Sequence, residues 1–236
     1  MSLYLFDPDY GPDASSWMKR IENVKPILSN IELNQFQDEI IKNNNSSFAY
    51  FFAETYNYKN YKMQKVIIDN KSAKYAFVFA QNIINCDIKA LQKLIVESND
   101  IKYICDFACF VNSSDYKSLE KIILKSKNIK YAHMLLKHVE RSNLNKIKEL
   151  ILSSKKPRYL YELAKHLTNR NELKMIEDLI IESGSFTYMR LFAEEFESAD
   201  VEKIEQIILN TNNLKEIKKF ARTVKKSKMK QFLLAL

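Results

Sequence analysis

Residues that break helices are scarce in this sequence: its 236 residues include only two glycines and four prolines. Glycine and proline punctuate strands, tight hairpins and long loops, so their scarcity favours a chain that is nearly all helix. Three of the six, Pro8, Gly11 and Pro12, fall within the first 12 positions. We therefore expect an all-α protein with few long loops after that point.

Cysteine is also scarce. Cys86, Cys105 and Cys109 are odd in number and contain no CxxC pair, which indicates neither a disulfide framework nor a zinc knuckle and favours a reducing, cytoplasmic compartment. No run of about 18 apolar residues occurs, and the first residues lack the charged and apolar regions of a signal peptide. We therefore expect no membrane span.

Motifs for chemistry are missing as well. The sequence has no glycine-rich phosphate loop, GxSxG elbow or HExxH pair, so we expect no enzyme and no cofactor. Catalysis by isolated carboxylates stays open, although the acidic residues of 194–205 fit a solvated helix face. His138 and His166, each seven after its anchor in adjacent repeats, should lie on facing first helices, but they lack further converging ligands for a metal. Cys105 and Cys109, four residues apart, are interpreted as packing residues and not as a redox pair.

What the sequence does contain is a unit that recurs about every 28 residues. Each copy begins near an aromatic anchor, and the last, degenerate copy has Glu216 there. Apolar residues follow the anchor at one, four, five and eight positions, and the residue at five is alanine except at Leu136. This spacing is one face of a helix, and a small residue lets neighbouring helices approach closely. The anchors are Phe48, Tyr75, Tyr103, Tyr131, Tyr159 and Tyr188.

Each unit also predicts a second helix, which ends in an apolar triplet such as Ile122-Ile-Leu. Short oxygen-bearing residues can cap helices, because their side chains accept hydrogen bonds from the free amides of the first turn. Pro157 fits a first helical position. We expect the extra residue of the single 29-residue step to lie in a loop near Glu172. The predicted second-helix starts are Asp87, Asp115, Asn143, Asn171 and Asp200, and the first-helix starts are Ser72, Asp100, Asn128, Ser185 and Asn213.

The anchor followed by Phe-Ala, and then Asp or Asn opening a helix that ends in Ile-Ile-Leu, resembles the short tandem helical-hairpin repeats frequent in viral and phage proteins. In architecture it is similar to the HEAT and tetratricopeptide α-solenoids, although this unit is shorter and the tetratricopeptide Trp-Leu-Gly-Tyr pattern is absent. The resemblance implies stacked helical hairpins, and host cytoplasm if the chain is viral. It implies no activity and no functional residues.

The fixed period predicts a right-handed α-solenoid of stacked two-helix repeats, with a compact bundle as the alternative. We assign residues 46–236 to an array of about seven units and residues 1–45 to an N-terminal capping segment. That segment should hold one or two short helices, one capped by Asp13 or Ser15 and one capped by Asn30, with Trp17 as an apolar plug.

Such an array offers an extended helix-lined surface, so the sequence favours a non-enzymatic scaffold that binds a protein partner. First-helix positions expected to be exposed differ between repeats, as they would if each repeat made a different contact. The residues assigned to this candidate partner surface are Lys137, His138, Arg141, Lys165 and His166.

Charge is the one asymmetric feature. The net charge is +8, and residues 213–236 alone hold eight cations against Glu216. In the helix after Asn213, the packed face should consist of Leu214, Ile217, Phe220, Ala221 and Val224, which leaves the cations exposed. The alternative function is therefore binding to nucleic-acid phosphates. The final residues, 231–236, are mainly apolar and would also fit a homodimer contact. The residues assigned to the candidate nucleic-acid patch are Lys215, Lys218, Lys219, Arg222, Lys225 and Lys226.

Overall fold

The computed structural model describes residues 29–139 and 142–229. Within these ranges the regular elements are fourteen helices, and no strand occurs. The all-α prediction is confirmed. The helices are α1 (Asn30–Asn43), α2 (Ser46–Tyr56), α3 (Asn60–Asp69), α4 (Ala73–Asn82), α5 (Ile88–Glu97), α6 (Ile101–Phe110), α7 (Tyr116–Lys125), α8 (Ile129–His138), α9 (Leu144–Ser154), α10 (Pro157–Ala164), α11 (Arg170–Glu182), α12 (Phe186–Glu195), α13 (Val201–Asn210) and α14 (Leu214–Thr223).

The chain folds into two compact units, which we call the first unit and the second unit. The boundary between them falls between Ile123 and Leu124, within α7. In the first unit α2 packs on α3 and α4, and α4 packs on α5 and α6. In the second unit α8 packs on α9 and α10, α10 packs on α11 and α12, and α12 packs on α13 and α14. The first helices α2, α4, α8, α10 and α12 thus each contact their own second helix and the next first helix, which is compatible with the predicted helical solenoid. Its right-handed sense stays a prediction.

Each of the two compact units builds its core from side chains at the same repeat positions. The residue four after the anchor is buried in every repeat, for example Phe79 in the first unit and Phe220 in the second. The next residue, alanine or Leu136, is buried as well, which confirms its predicted packing role. Leu214 was also expected in the packed face, but it is 59% exposed. It is the first residue of α14 and lies at the edge of the buried side.

Most predicted helix starts are confirmed by side-chain caps. Asp87, for example, accepts from the amide of Ala90 at 3.0 Å and Asp200 from that of Lys203 at 3.0 Å. Pro157 occupies the first turn of α10, as expected. Ser72 and Ser185 also precede helices but make no side-chain cap hydrogen bond.

Two predicted helix starts are wrong. Asn169, and not Asn171, caps α11 by accepting from the amides of Asn171 and Glu172 at 2.9 and 3.3 Å. The extra residue of the 29-residue step therefore lies inside a longer helix and not in a loop. At the other site Ser29 caps α1 in place of Asn30, because Ser29 and Glu32 bond each other's backbone amides in a capping box.

The predicted N-terminal cap is only partly visible. Helix α1 packs on α2 and α3, in keeping with an element that covers the first repeat. Asp13, Ser15 and Trp17 lie outside the described residues. The domain boundary after residue 45 stays a prediction.

A residue in the left-handed region closes each repeat. Only Gly184, with φ of 69°, is glycine; the others include Asn99 at 54° and Lys155 at 51°. The preceding hydroxyl stabilises the turn: Ser98 donates to the carbonyl of Ile95 at 2.7 Å and accepts from the amide of Asp100 at 3.2 Å. This turn explains how a helical array forms with almost no glycine. The full set is Asn44, Lys71, Asn99, Lys127, Lys155, Gly184 and Asn212.

Buried polar side chains tie successive second helices together. In the first unit Gln64 accepts from the amide of Asp87 at 2.9 Å and donates to its carbonyl at 3.0 Å. In the second unit the amide of Asp200 donates to Glu177 at 2.6 Å. Glu205, which was expected on a solvated face, is only 5% exposed and accepts from a backbone amide in the same way. Its equivalence to Gln64 and Glu177 in the repeat explains its burial.

Candidate interaction surfaces

In three pairs of neighbouring repeats, side chains of the first helices meet at the same two repeat positions. The residue two after one anchor contacts the residue seven after the next anchor. In the first unit the side-chain amide of Asn82 donates to the hydroxyl oxygen of Tyr50 at 2.7 Å. In the second unit the hydroxyl of Tyr161 donates to the carboxylate of Glu195.

Between α12 and α14, the same two repeat positions hold a third kind of side-chain pair. Arg190 Nη1 donates to Thr223 Oγ1 at 3.5 Å, and also bonds Glu194 at 3.1 Å. The frame is constant while the side chains change from repeat to repeat. Each pair therefore presents a different set of donors and acceptors at the exposed edge of the first helices.

The predicted partner surface is only partly assembled. Lys137, His138, Lys165 and His166 are all exposed, and Arg141 lies outside the described residues. His138 ends α8, whereas α10 stops two residues before His166. The two histidines were expected on facing helices; this is wrong for His166, because α10 is only eight residues long.

Lys165 belongs to a network that sequence spacing did not reveal. Its Nζ lies 3.6 Å from Glu162 Oε1 and 3.8 Å from Glu195 Oε2, and 4.4 Å from the centre of the Tyr161 ring. Burial, and then the hydrogen bond to Glu195, raise the pKa of Tyr161. Lys165 thus belongs to a mixed-charge cluster, in which the carboxylates of Glu162 and Glu195 balance its positive charge.

His133 is a site residue that sequence reasoning missed. Its ring packs on Tyr159 at 5.4 Å, and its side chain is 14% exposed. Nε2 lies 4.0 Å from Glu162 Oε2 and has no hydrogen-bond partner among the described residues. Burial lowers the pKa of His133, as do Lys137 and Arg158, while Glu162 acts in the opposite direction. The sequence signal that could have identified His133 is its position two residues after the anchor, which Tyr50 and Tyr161 share.

The anchor tyrosines are structural. The cation before the anchor stands over the ring in four repeats, at 5.0 to 6.0 Å from the ring centre. Rings also pack on the preceding repeat: Tyr75 lies 6.2 Å from Tyr50, and Tyr188 lies 5.9 Å from Tyr161. Their faces are therefore occupied within the chain. The cation pairs are Lys74 with Tyr75, Lys102 with Tyr103, Lys130 with Tyr131 and Arg158 with Tyr159.

The candidate nucleic-acid patch is displayed as predicted from the sequence. Ile217, Phe220 and Ala221 form the buried side of α14, and the cations lie on the exposed side. Lys226 Nζ contacts the carbonyl of Glu197 at 3.4 Å. The exposed members of the patch are Lys215, Lys218, Lys219, Arg222, Lys225 and Lys226.

Cys105 and Cys109 lie on one side of α6 with 3.9 Å between their sulfurs. Cys105 is buried and Cys109 half-buried, as expected for packing residues. The hydrogen bond from Cys105 lowers the pKa of Cys109, whereas burial raises the pKa of Cys86. In the described ranges no group of three or more His, Cys, Asp or Glu side chains could hold a metal ion.

A groove of about 490 Å³ lies in the first unit between α5 and the loop before α7. Its apolar lining includes Ile88 and Val96, and Gln92 and Asp115 contribute polar groups. The amide of Asp115 donates to Gln92 at 2.8 Å, so these groups already serve the contact between second helices. None of the sequence-predicted site residues lines this groove.

No helix in the described part of the chain has both the length and the apolar character needed to cross a membrane. Comparisons of the chain with protein-family models, curated proteins and solved structures found no match. The likeness to viral and phage repeats and to HEAT arrays stays a resemblance of pattern and architecture.

Proposed function

We propose that this chain is a non-enzymatic scaffold that binds a protein partner along the exposed edge of its first helices. The supporting observation is the pairing rule between neighbouring repeats. The same two positions hold Tyr161 with Glu195 in one step and Arg190 with Thr223 in the next. A partner laid along such an edge meets a different chemistry at each repeat, which is how stacked repeats acquire specificity.

The mixed charge of the second unit favours a partner that carries both signs of charge. Glu162 and Glu195 flank Lys165. Lys137, in the preceding repeat, and His166, in the same repeat as Lys165, are both exposed. Charges at the rim of an interface mainly set association rate and partner choice. The non-enzymatic assignment rests on the sequence, which carries no phosphate loop or nucleophile motif.

We infer a reducing, cytoplasmic compartment from the three cysteines, none of which forms a disulfide. A homodimer contact through residues 231–236 lies outside the described residues and stays a prediction.

The test is crosslinking and pull-down from native cells with matched variants. Lys137→Glu with Lys165→Glu alters the first-helix edge. Lys121→Glu with Lys146→Glu, on second helices, is the charge-matched control, since all four side chains are exposed. We expect one partner to be lost with the first pair and kept with the second. Equal retention by both variants, with unchanged helicity, would remove this edge from the proposal.

A further inference from the structure

Helix α14 carries a row of cations on one side, which we call the basic stripe: Lys215, Lys218, Lys219, Arg222 and, just beyond the helix, Lys225. The first four follow the i, i+3, i+4, i+7 spacing of a single helix face. Phe220 and Ala221 hold the opposite face in the core. The stripe is therefore fixed in direction by the packing of α14.

The members of the stripe have no internal counterions. No side chain of the five makes a hydrogen bond or ion pair with another described residue, and all five are exposed. Some other cations of the second unit are paired: Lys155 pairs with Glu182, and Lys203 with Asp178. The patch predicted from the sequence also contained Lys226, which contacts a carbonyl and so is less available.

This arrangement costs stability in the isolated chain. Like charges three or four residues apart on a helix repel each other and destabilise it. Lys215 adds to the cost, because it lies in the first turn of α14, where the helix dipole favours negative charge. An external polyanion would offset both effects.

The stripe has the dimensions of a backbone contact. The four cations at 215, 218, 219 and 222 lie within eight residues and span about 10 Å along the helix axis. A nucleic-acid duplex carries one negative charge per about 1.7 Å of its axis, so several phosphates lie within that length.

The surroundings of the stripe favour a duplex over a single strand. Proteins that bind single strands without sequence preference stack bases on exposed aromatic side chains. Phe220 is the only aromatic residue in 201–229 and is buried. Bases would find no stacking platform there, whereas duplex phosphates need only fixed cations.

We propose that the basic stripe binds the phosphate backbone of a nucleic-acid duplex without reading its sequence. This goes beyond the protein-binding scaffold, because it uses the exposed side of one terminal repeat and a different class of partner. The repeat array would then position a protein partner relative to a duplex.

The test is fluorescence anisotropy of the full chain with a labelled duplex, and the same sequence as a labelled single strand, at two salt concentrations. If all five cations contact phosphates, log affinity should fall against log salt with a slope of about −4 to −5. Scrambling the duplex sequence should leave the affinity unchanged. Salt-insensitive binding, or a clear sequence preference, would overturn the proposal.

Two charge-matched variants separate the stripe from net charge. Replacing Lys215, Lys218, Lys219 and Arg222 by Gln should cut duplex affinity about 100-fold at low salt and reduce the slope by about 4. The control replaces the exposed Lys125, Lys127, Lys146 and Lys156 by Gln and should bind nearly as wild type.

Equal losses in the two variants would mean a net-charge effect and overturn the assignment to α14. Tighter stripe-dependent binding to the single strand would overturn the duplex assignment. Stripe-dependent binding to phosphatidylserine vesicles, with none to the duplex, would assign the surface to lipid instead. Circular dichroism establishes that both variants remain helical.

Discussion

The backbone amide of Asp200 donates a hydrogen bond to the carboxylate of Glu177 with 2.6 Å between N and Oε1. Glu177 is 1% exposed, and Lys174 Nζ lies 2.7 Å from its other oxygen. Asp200 caps α13, so the carboxylate joins the second helix of one repeat, α11, to the start of the second helix of the next repeat. A polar atom buried in this way is costly to leave without its partner.

We predict that Glu177→Leu lowers the free energy of unfolding by about 1–3 kcal/mol, because the Asp200 amide loses its acceptor in a buried place. Glu177→Gln should cost less, since Gln64 and Gln92 accept equivalent amides in the first unit. Urea denaturation followed by circular dichroism measures both variants. Equal losses would show that charge, and not the acceptor, matters.

The two asparagines at the start of α11 give a paired test of the cap. Asn169→Ala should cost about 1 kcal/mol, because it removes the acceptor for two first-turn amides. Asn171→Ala lies within the helix, where alanine is the better helix former, and should be neutral or slightly stabilising. Thermal unfolding distinguishes them. A larger loss of stability in Asn171→Ala than in Asn169→Ala would show that Asn171 is the cap.

Burial of His133 predicts a pH dependence of stability. Its folded pKa lies below the unfolded value of about 6.5, so the unfolded chain binds the proton more readily. The contribution of His133 is present above the unfolded pKa and is lost as pH falls through the folded pKa. Between pH 7.5 and 5, His133→Phe should therefore lose less stability than the wild type.

The control for this pH effect is His138→Gln, since His138 is exposed and is not among the groups that shift the pKa of His133. It should keep the wild-type change in melting temperature between pH 7.5 and 5. An unchanged pH dependence in His133→Phe would assign the effect to other groups.

The thiols should differ in reactivity. The Cys105 hydrogen bond lowers the pKa of Cys109, and burial raises that of Cys86, so Cys109 holds more thiolate near neutral pH. Iodoacetamide should label Cys109 faster, as measured by peptide mass spectrometry over time. Cys105→Ala should slow the labelling of Cys109 and leave the labelling rate of Cys86 unchanged. Equal rates for Cys86 and Cys109 in the wild type would contradict the geometry.

Periodicity predicted the packed side of the first helices because burial there repeats every 28 residues. Phe79 and Ala80 are typical, and their equivalents are buried in each repeat. Caps such as Asp87 were also readable, because short oxygen-bearing residues recur at one position. The failure at Asn171 is local: Asn169 offers the same chemistry two residues earlier, and the longer helix satisfies more backbone groups.

The polar contacts between repeats were not readable from the sequence. Gln64 and Glu177 occupy one repeat position, but a polar residue on an amphipathic helix is normally expected to face water. Their burial depends on a backbone amide 23 residues away. The pairing of Lys165 with Glu195 is likewise set by how neighbouring helices align, which a one-dimensional spacing does not specify.

The left-handed residue between repeats has a consequence for how such a chain changes over generations. The turn keeps one conformation whether Asn99, Lys155 or Gly184 occupies it. An unequal crossover between the codons for two of these residues would join the exit of one hairpin to the entry of another with the backbone already turned correctly. Gene length can then change in steps of whole hairpins, and each new junction inherits a working turn.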